Sequence, residues 1–69
     1  MRPDEKELVE RLYRLYFKKL FIYANAVLRD QELAKDVVQD TFHEALRRID
    51  VLAKHKNPGG WLMNVVKNK

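Results

Sequence analysis

The sequence predicts an all-α fold, a small bundle of three helices. Apolar residues recur at intervals of three and four positions over two long stretches, and no stretch shows the two-residue alternation of a half-buried strand. The pair Asn57-Pro58 is typical of a helix start, because asparagine caps a helix and proline suits its first position. With 69 residues, the chain forms one domain near the lower size limit for folding without disulfides or metals.

The first helix is predicted over residues 4–29. Pro3 suits its opening, and Asp4 and Glu5 stabilise the positive end of its dipole. Over residues 20–28 the apolar face widens until it nearly encircles the helix, which predicts burial from two sides. The helical spacing is set by Leu8, Val9, Leu12, Leu15, Tyr16, Phe17, Leu20 and Phe21.

The second helix is predicted over residues 31–48, with Asp30 as its N-cap. Apolar pairs alternate with polar pairs along it, so one broad face packs against the first helix. The opposite face carries a polar strip at i, i+3, i+4 and i+7, made of Asp36, Gln39, Asp40 and His43.

The third helix is predicted over residues 58–69, after an irregular connector at residues 50–57 that shows no usable period. Its apolar stripe is made of Trp61, Leu62, Val65 and Val66. The pattern carries no stop signal, such as a glycine after the last turn, which predicts that this helix is truncated and belongs to a longer protein.

Positive charge is concentrated at one end of the chain. The formal net charge is +4, and residues 1–50 carry equal numbers of basic and acidic residues. Residues 51–69 contain four lysines and no acidic residue. Such a segment either attracts a polyanion or is simply a solvated basic face, and composition alone leaves both interpretations open.

The sequence gives no support for catalysis, metal binding or cofactor binding. Cysteine is absent, and His43 and His55 lie on different elements without metal-ligand spacing. Asp36 and Asp40 are one helical turn apart but lack a third ligand, so we interpret them as solvated carboxylates. The pair Gly59-Gly60 has neither the preceding strand nor the lysine-serine/threonine ending of a phosphate loop. We expect neither an enzyme nor a cofactor-binding or metal-binding protein.

The chain also lacks membrane and export signals. No apolar run approaches the roughly 20 residues of a membrane span. The acidic and polar start MRPDEKE is unlike a secretory signal peptide. We therefore expect a cytoplasmic protein without membrane insertion.

The residues alone leave two kinds of binding open, to a partner protein and to a nucleic acid. Carboxylates and an amide at helical spacing can engage arginines of a partner helix, although such a strip can also face water only. The acid-free segment combines cations for phosphates, amides for base edges and one indole for stacking or core packing. Its polar and aromatic members are Lys54, His55, Lys56, Asn57, Trp61, Asn64, Lys67 and Asn68.

Two motifs carry a resemblance to a known family. DQELAKDVVQDTF spans residues 30–42, and NPGGWL spans residues 57–62 after a short connector. Their order and spacing closely resemble the second-region domain of bacterial sigma factors, and the chain is most similar to the extracytoplasmic-function group. The likeness covers nearly the whole chain, and both motifs are specific.

The resemblance implies that the second helix binds the clamp helices of the largest subunit of core RNA polymerase. The positions that match the family's interface are Asp36, Gln39, Asp40, Phe42, His43 and Arg47. An anti-sigma factor is a further partner that the family implies.

The resemblance also implies that residues 51–57 capture a base flipped out of the minus-ten promoter element, and that the following helix holds the non-template strand. The expected DNA-binding residues are Lys54, His55, Lys56, Asn57, Gly59, Gly60, Trp61, Asn64, Lys67 and Asn68. At Gly59-Gly60, where many relatives carry larger residues, we expect only backbone amides to be offered, at a helix start left open for backbone approach. Two alternatives stay open: a sigma-like protein-interaction module without DNA binding, and a small helical domain that binds duplex DNA.

Overall fold

Helices account for nearly all of residues 3–69, which are the residues that the computed structural model describes. This part of the chain contains no strand, and the predicted all-α class is confirmed. In chain order the helices are α1 (Pro3–Leu28), α2 (Gln31–Arg47), α3 (Ile49–Lys54) and α4 (Pro58–Lys67).

A two-residue turn joins α1 to α2. Arg29 adopts a left-handed backbone conformation with φ of 55°, and its N–H donates to the carbonyl of Asn25 at 2.7 Å. Asp30 then caps α2, since its Oδ1 accepts from the amides of Glu32 and Leu33 at 2.9 and 3.2 Å. The predicted cap is therefore confirmed. So short a turn makes the two long helices antiparallel neighbours, and they form the main packing of the fold.

The core lies between α1 and α2 and is closed by α3 and α4. Thr41 is the buried polar residue of the described chain, and its hydroxyl donates to the carbonyl of Val37 at 2.8 Å, which satisfies the group. The buried apolar residues are Leu12, Leu20, Ala24, Ala34, Val38, Phe42, Ala45, Leu52, Leu62 and Val66.

Helix α3 lies in the segment that was predicted to be an irregular connector. The amides of Val51 and Leu52 both donate to the carbonyl of Arg48, and Leu52 is only 2 % exposed. Six residues with one buried anchor are too few to show a helical repeat in sequence, which explains the difference. The non-helical link is reduced to residues 55–57.

The prediction that residues 20–28 are buried from two sides is wrong. Leu20 and Ala24 are buried, but Ile22 is 58 % exposed and Val27 is 63 % exposed. The reason is that α1 buries only the face toward the other helices, so the apolar residues on its far side remain in solvent.

The close approach of α4 to α1 depends on Gly59. A Cβ atom at this position would lie 2.6 Å from Cε1 and 2.8 Å from Cζ of Tyr16, inside any normal carbon contact. A side chain at residue 59 would force the tyrosine ring or the start of α4 to move. Glycine here therefore allows the Tyr16 ring to pack directly on the first turn of α4.

We predict that Gly59→Ala lowers the free energy of unfolding by about 1–3 kcal/mol, the usual cost of overpacking. Urea unfolding followed by circular dichroism measures the change. In a Tyr16→Leu background the same substitution should cost less, because the ring that it meets is gone. Equal costs in the two backgrounds would show that the contact does not limit the packing, and Asn64→Ala on the exposed side of α4 is the control.

Candidate protein-binding and nucleic-acid-binding surfaces

Helix α2 presents a polar strip to solvent. All five of its members are exposed, and they recur about once per turn over roughly 16 Å at 1.5 Å per residue. The strip, called the α2 polar strip below, consists of Asp36, Gln39, Asp40, His43 and Arg47. It combines two carboxylates, an amide, an imidazole and a guanidinium, which suits a charged partner helix.

Phe42 does not belong to this strip. Its side chain is 5 % exposed, and its ring centroid lies 5.0 Å from that of Tyr13 on α1. The sequence-based assignment of Phe42 as a contact residue is therefore corrected, because a ring enclosed between two helices has almost no surface for a partner. Phe42 supports the strip from below by holding α2 against α1.

The carboxylates of the α2 polar strip are not neutralised within the fold. Over residues 3–69 the ion pair within 4 Å joins Lys69 Nζ to Glu44 Oε2 at 3.8 Å. It lies beside the strip, between the end of α4 and the partly buried side of α2. Asp36 and Asp40 thus keep their acceptor oxygens for solvent or a partner.

The basic segment begins at the end of α3. Lys54, His55 and Lys56 are all exposed. His55 Nδ1 accepts the N–H of Asn57 at 3.0 Å, so in the neutral ring the proton is on Nε2, which remains available as a donor. This contact holds the short link in a defined bend before α4.

Asn57 and Gly60 are used by the helix start itself. The Gly60 N–H donates to Asn57 Oδ1 at 3.1 Å, which confirms Asn57 as the N-cap. A Cβ at Gly60 would lie 2.6 Å from Asn57 Nδ2, so glycine makes room for the cap. The expectation that the glycine pair leaves an open helix start is corrected: Gly59 faces Tyr16, and the Gly60 amide already has an acceptor.

The remaining predicted DNA-binding residues are distributed along α4. Asn64, Lys67 and Asn68 are exposed, whereas Trp61 is partly buried and packs against the core. Lys67 Nζ lies 5.7 Å from the ring centroid of Tyr23, a cation–π contact that draws it toward α1. Lys56 precedes α4 and Lys67 is its last residue, so the two lysines are separated by the length of the helix, about 15 Å at 1.5 Å per residue.

A cleft between α1 and the start of α4 brings together residues that the sequence did not associate. It has a volume of about 330 Å³ and is lined by Tyr16 and Lys19 of α1 and by Asn57 and Gly59 at the start of α4. The Tyr16 ring is packed against Gly59 at one side of it. Leu20, Gly60 and Met63 complete its lining. Tyr16 and Gly59 are far apart in the chain, so no local motif could have indicated the cleft. An aromatic ring, an ammonium group and an amide in one concavity can hold a flat, anionic ligand.

Other kinds of site are not formed by residues 3–69. No three histidine or carboxylate side chains in this part of the chain are grouped so that they could hold a metal ion. Its helices also include none that is long and apolar enough to cross a membrane.

The fold is a small helical domain with two candidate binding surfaces, and comparison with known proteins identifies its family. Residues 8–69 match the family described as Sigma-70 region 2. The chain therefore belongs to the sigma-70 region 2 family, which confirms the resemblance noted in the sequence.

A curated relative agrees with this assignment. The chain is 32 % identical over 60 residues to RNA polymerase sigma factor YlaC of Bacillus subtilis (strain 168). The alignment covers 87 % of this chain and 35 % of that relative, so the chain spans about a third of the relative's length. No solved structure matches the chain.

Replacing a side chain by alanine should affect stability very differently on the two sides of α2. Phe42→Ala should lower the free energy of unfolding by about 3–5 kcal/mol through loss of buried area and cavity formation. In so small a domain this leaves much of the population unfolded. Gln39→Ala, on the exposed side, should change stability by no more than about 0.5 kcal/mol. Thermal unfolding followed by circular dichroism compares the two variants. A stable Phe42→Ala protein would show that Phe42 is not part of the core.

Proposed function

We propose that this domain binds core RNA polymerase and recognises and melts the minus-ten promoter element, as the second-region module of an extracytoplasmic-function sigma factor. The observation that carries the proposal is the α2 polar strip, exposed and without ion pairs at its carboxylates, within the segment that matches the family. The name of the relative YlaC supports the link to RNA polymerase. Because that polymerase acts on the chromosome, the domain works in the cytoplasm.

The α2 polar strip is the polymerase-binding surface in this proposal. Asp36 and Asp40 accept charge-assisted hydrogen bonds from arginines of the clamp helices, and Gln39 both donates and accepts beside them. His43 and Arg47 extend the contact toward the end of α2. A rigid helix carries all five groups, so little backbone freedom is lost when they bind.

The link between α3 and α4, together with the adjacent cleft, is the DNA-binding surface. Lys54 and Lys56 neutralise phosphates of the non-template strand, and the His55 Nε2–H donates to a phosphate or a base edge. A base that leaves the duplex gives up a few kcal/mol of stacking and pairing. The cleft offers Tyr16 for an apolar contact and Lys19 for the adjoining phosphate, which together offset part of that cost.

The exposed amides of α4 extend this surface along the strand. Asn64 and Asn68 lie one turn apart and are free to donate to and accept from base edges. Trp61 contributes mainly by fixing α4 to the core. The domain performs no chemistry of its own and supplies promoter specificity to the polymerase. An anti-sigma factor that covers the α2 polar strip would keep the domain inactive.

The alternative is a sigma-like module that binds protein but no DNA. Such a module would keep the α2 polar strip and lack the preference for single-stranded promoter DNA. The described residues give no support for this module over the sigma factor role, and none for a domain that reads duplex DNA. The contact of Lys67 with Tyr23 leaves that side chain exposed.

We predict that Asp40→Ala weakens binding to core RNA polymerase by about 10- to 150-fold, since a hydrogen bond to a charged group contributes about 1.5–3 kcal/mol. Titration of the fluorescently labelled chain with purified core enzyme measures the affinity. Asp50→Ala removes an exposed carboxylate from α3, outside the strip, and should leave affinity unchanged. Equal affinity of the Asp40 and Asp50 variants would remove the polymerase-binding assignment from α2.

For DNA, we predict preferential binding to a single-stranded non-template minus-ten oligonucleotide over the corresponding duplex. Combining Lys54→Ala with Lys56→Ala should reduce the slope of log affinity against log salt by about 1.4, roughly 0.7 for each phosphate that is no longer neutralised. The pair Lys6→Ala and Lys35→Ala removes the same charge elsewhere and is the control. Binding to polymerase without measurable binding to this oligonucleotide at low salt would establish the protein-interaction alternative.

A further inference from the structure

The outer face of α1 carries exposed aliphatic side chains that the fold leaves uncovered. Leu15 is 63 % exposed and Ile22 is 58 % exposed, on the side away from the helices that pack against α1. Leu8, one heptad before Leu15, is partly buried against the core. We call the two exposed residues, Leu15 and Ile22, the α1 outer stripe.

The spacing of the α1 outer stripe suits a second helix. Its members are seven residues apart, so Leu15 and Ile22 lie about 10.5 Å from each other along the axis. An apolar repeat of seven drifts by about 20° per heptad around a straight helix, and a partner helix that winds left-handed can follow it. A helical partner therefore keeps contact over the full length of the stripe.

The charge around the stripe determines the chemistry of that partner. Residues 11–29 contain no acidic residue, and every cation among them is exposed. These cations are Arg11, Arg14, Lys18, Lys19 and Arg29. A second copy of the same face would bring like charges together, which opposes self-association. An acidic partner gains both apolar burial and charge complementarity.

We propose that the α1 outer stripe docks an amphipathic helix of another protein, with acidic residues flanking its apolar side. The surface is separate from the α2 polar strip and shares only Lys19 with the DNA-binding cleft, so the proposal does not depend on either function. A nucleic acid could use the cations, but it would leave Leu15 and Ile22 in water. These side chains favour a protein partner because their burial is a main source of affinity for one.

A designed peptide of three heptads, with leucine at positions a and d and glutamate at e and g, provides the probe. Its fluorescein-labelled form is titrated with the 69-residue chain at low and high salt, and anisotropy reports binding. We expect measurable affinity that decreases with salt, and at least a tenfold loss when the glutamates are replaced by lysines. Leu15→Asp combined with Ile22→Asp should also weaken binding at least tenfold.

The matched control adds the same two charges elsewhere. Leu33 and Val51 are 50 % and 43 % exposed outside the stripe, so Leu33→Asp combined with Val51→Asp should retain wild-type binding. Circular dichroism checks that both double variants stay helical. Equal weakening by the two double variants, or equal affinity for the glutamate and lysine peptides, would overturn the proposal.

Two further results would assign the stripe to another occupant and also overturn the proposal. Sedimentation that shows self-association of the wild type, abolished by Leu15→Asp and Ile22→Asp, would identify a second copy as the occupant. A labelled thymidine dodecamer that loses affinity in the same variant, while the glutamate peptide does not, would identify nucleic acid.

Discussion

The contact between Gly59 and Tyr16 is the constraint on which the rest of the arrangement depends. It brings the first turn of α4 against α1 so closely that a Cβ at residue 59 would require the Tyr16 ring or the helix start to shift. Asn57 then caps the same turn through Gly60, and His55 holds the bend before it. These contacts fix the start of α4, and Asn57 of the link lines the α1–α4 cleft.

The division of α2 into two faces separates stability from binding. Its apolar pairs supply buried residues such as Ala34, Val38 and Phe42 to the core. The polar groups on the other face take no part in core packing, and the described residues show no ion pair that involves Asp36 or Asp40. A domain of this size has little stability to spare, so a binding surface that takes no part in the core can change without unfolding it.

Helix α1 contributes to the core, to the cleft beside α4 and to an exposed outer face. One side of it packs the core, its residues Tyr16 and Lys19 line the cleft, and Leu15 and Ile22 face solvent. A helix covered from one side only must present its remaining residues to water or to partners. On this helix the exposed aliphatic residues Leu15 and Ile22 lie among the exposed cations of residues 11–29.

Local chemistry was sufficient to predict much of this protein from its sequence. The caps at Asp30 and Asn57, the alternation along α2 and the segregation of charge each arise from residues near one another in the chain, and so did the motifs that resemble sigma factors. Features that depend on contacts between residues distant in the chain were decided only by the tertiary structure. It placed Phe42 in the core, formed α3 around Leu52, left Ile22 outside, and brought Tyr16 to Gly59. Periodicity tells which residues share a helix face, but the number and position of neighbouring helices determine which faces are buried.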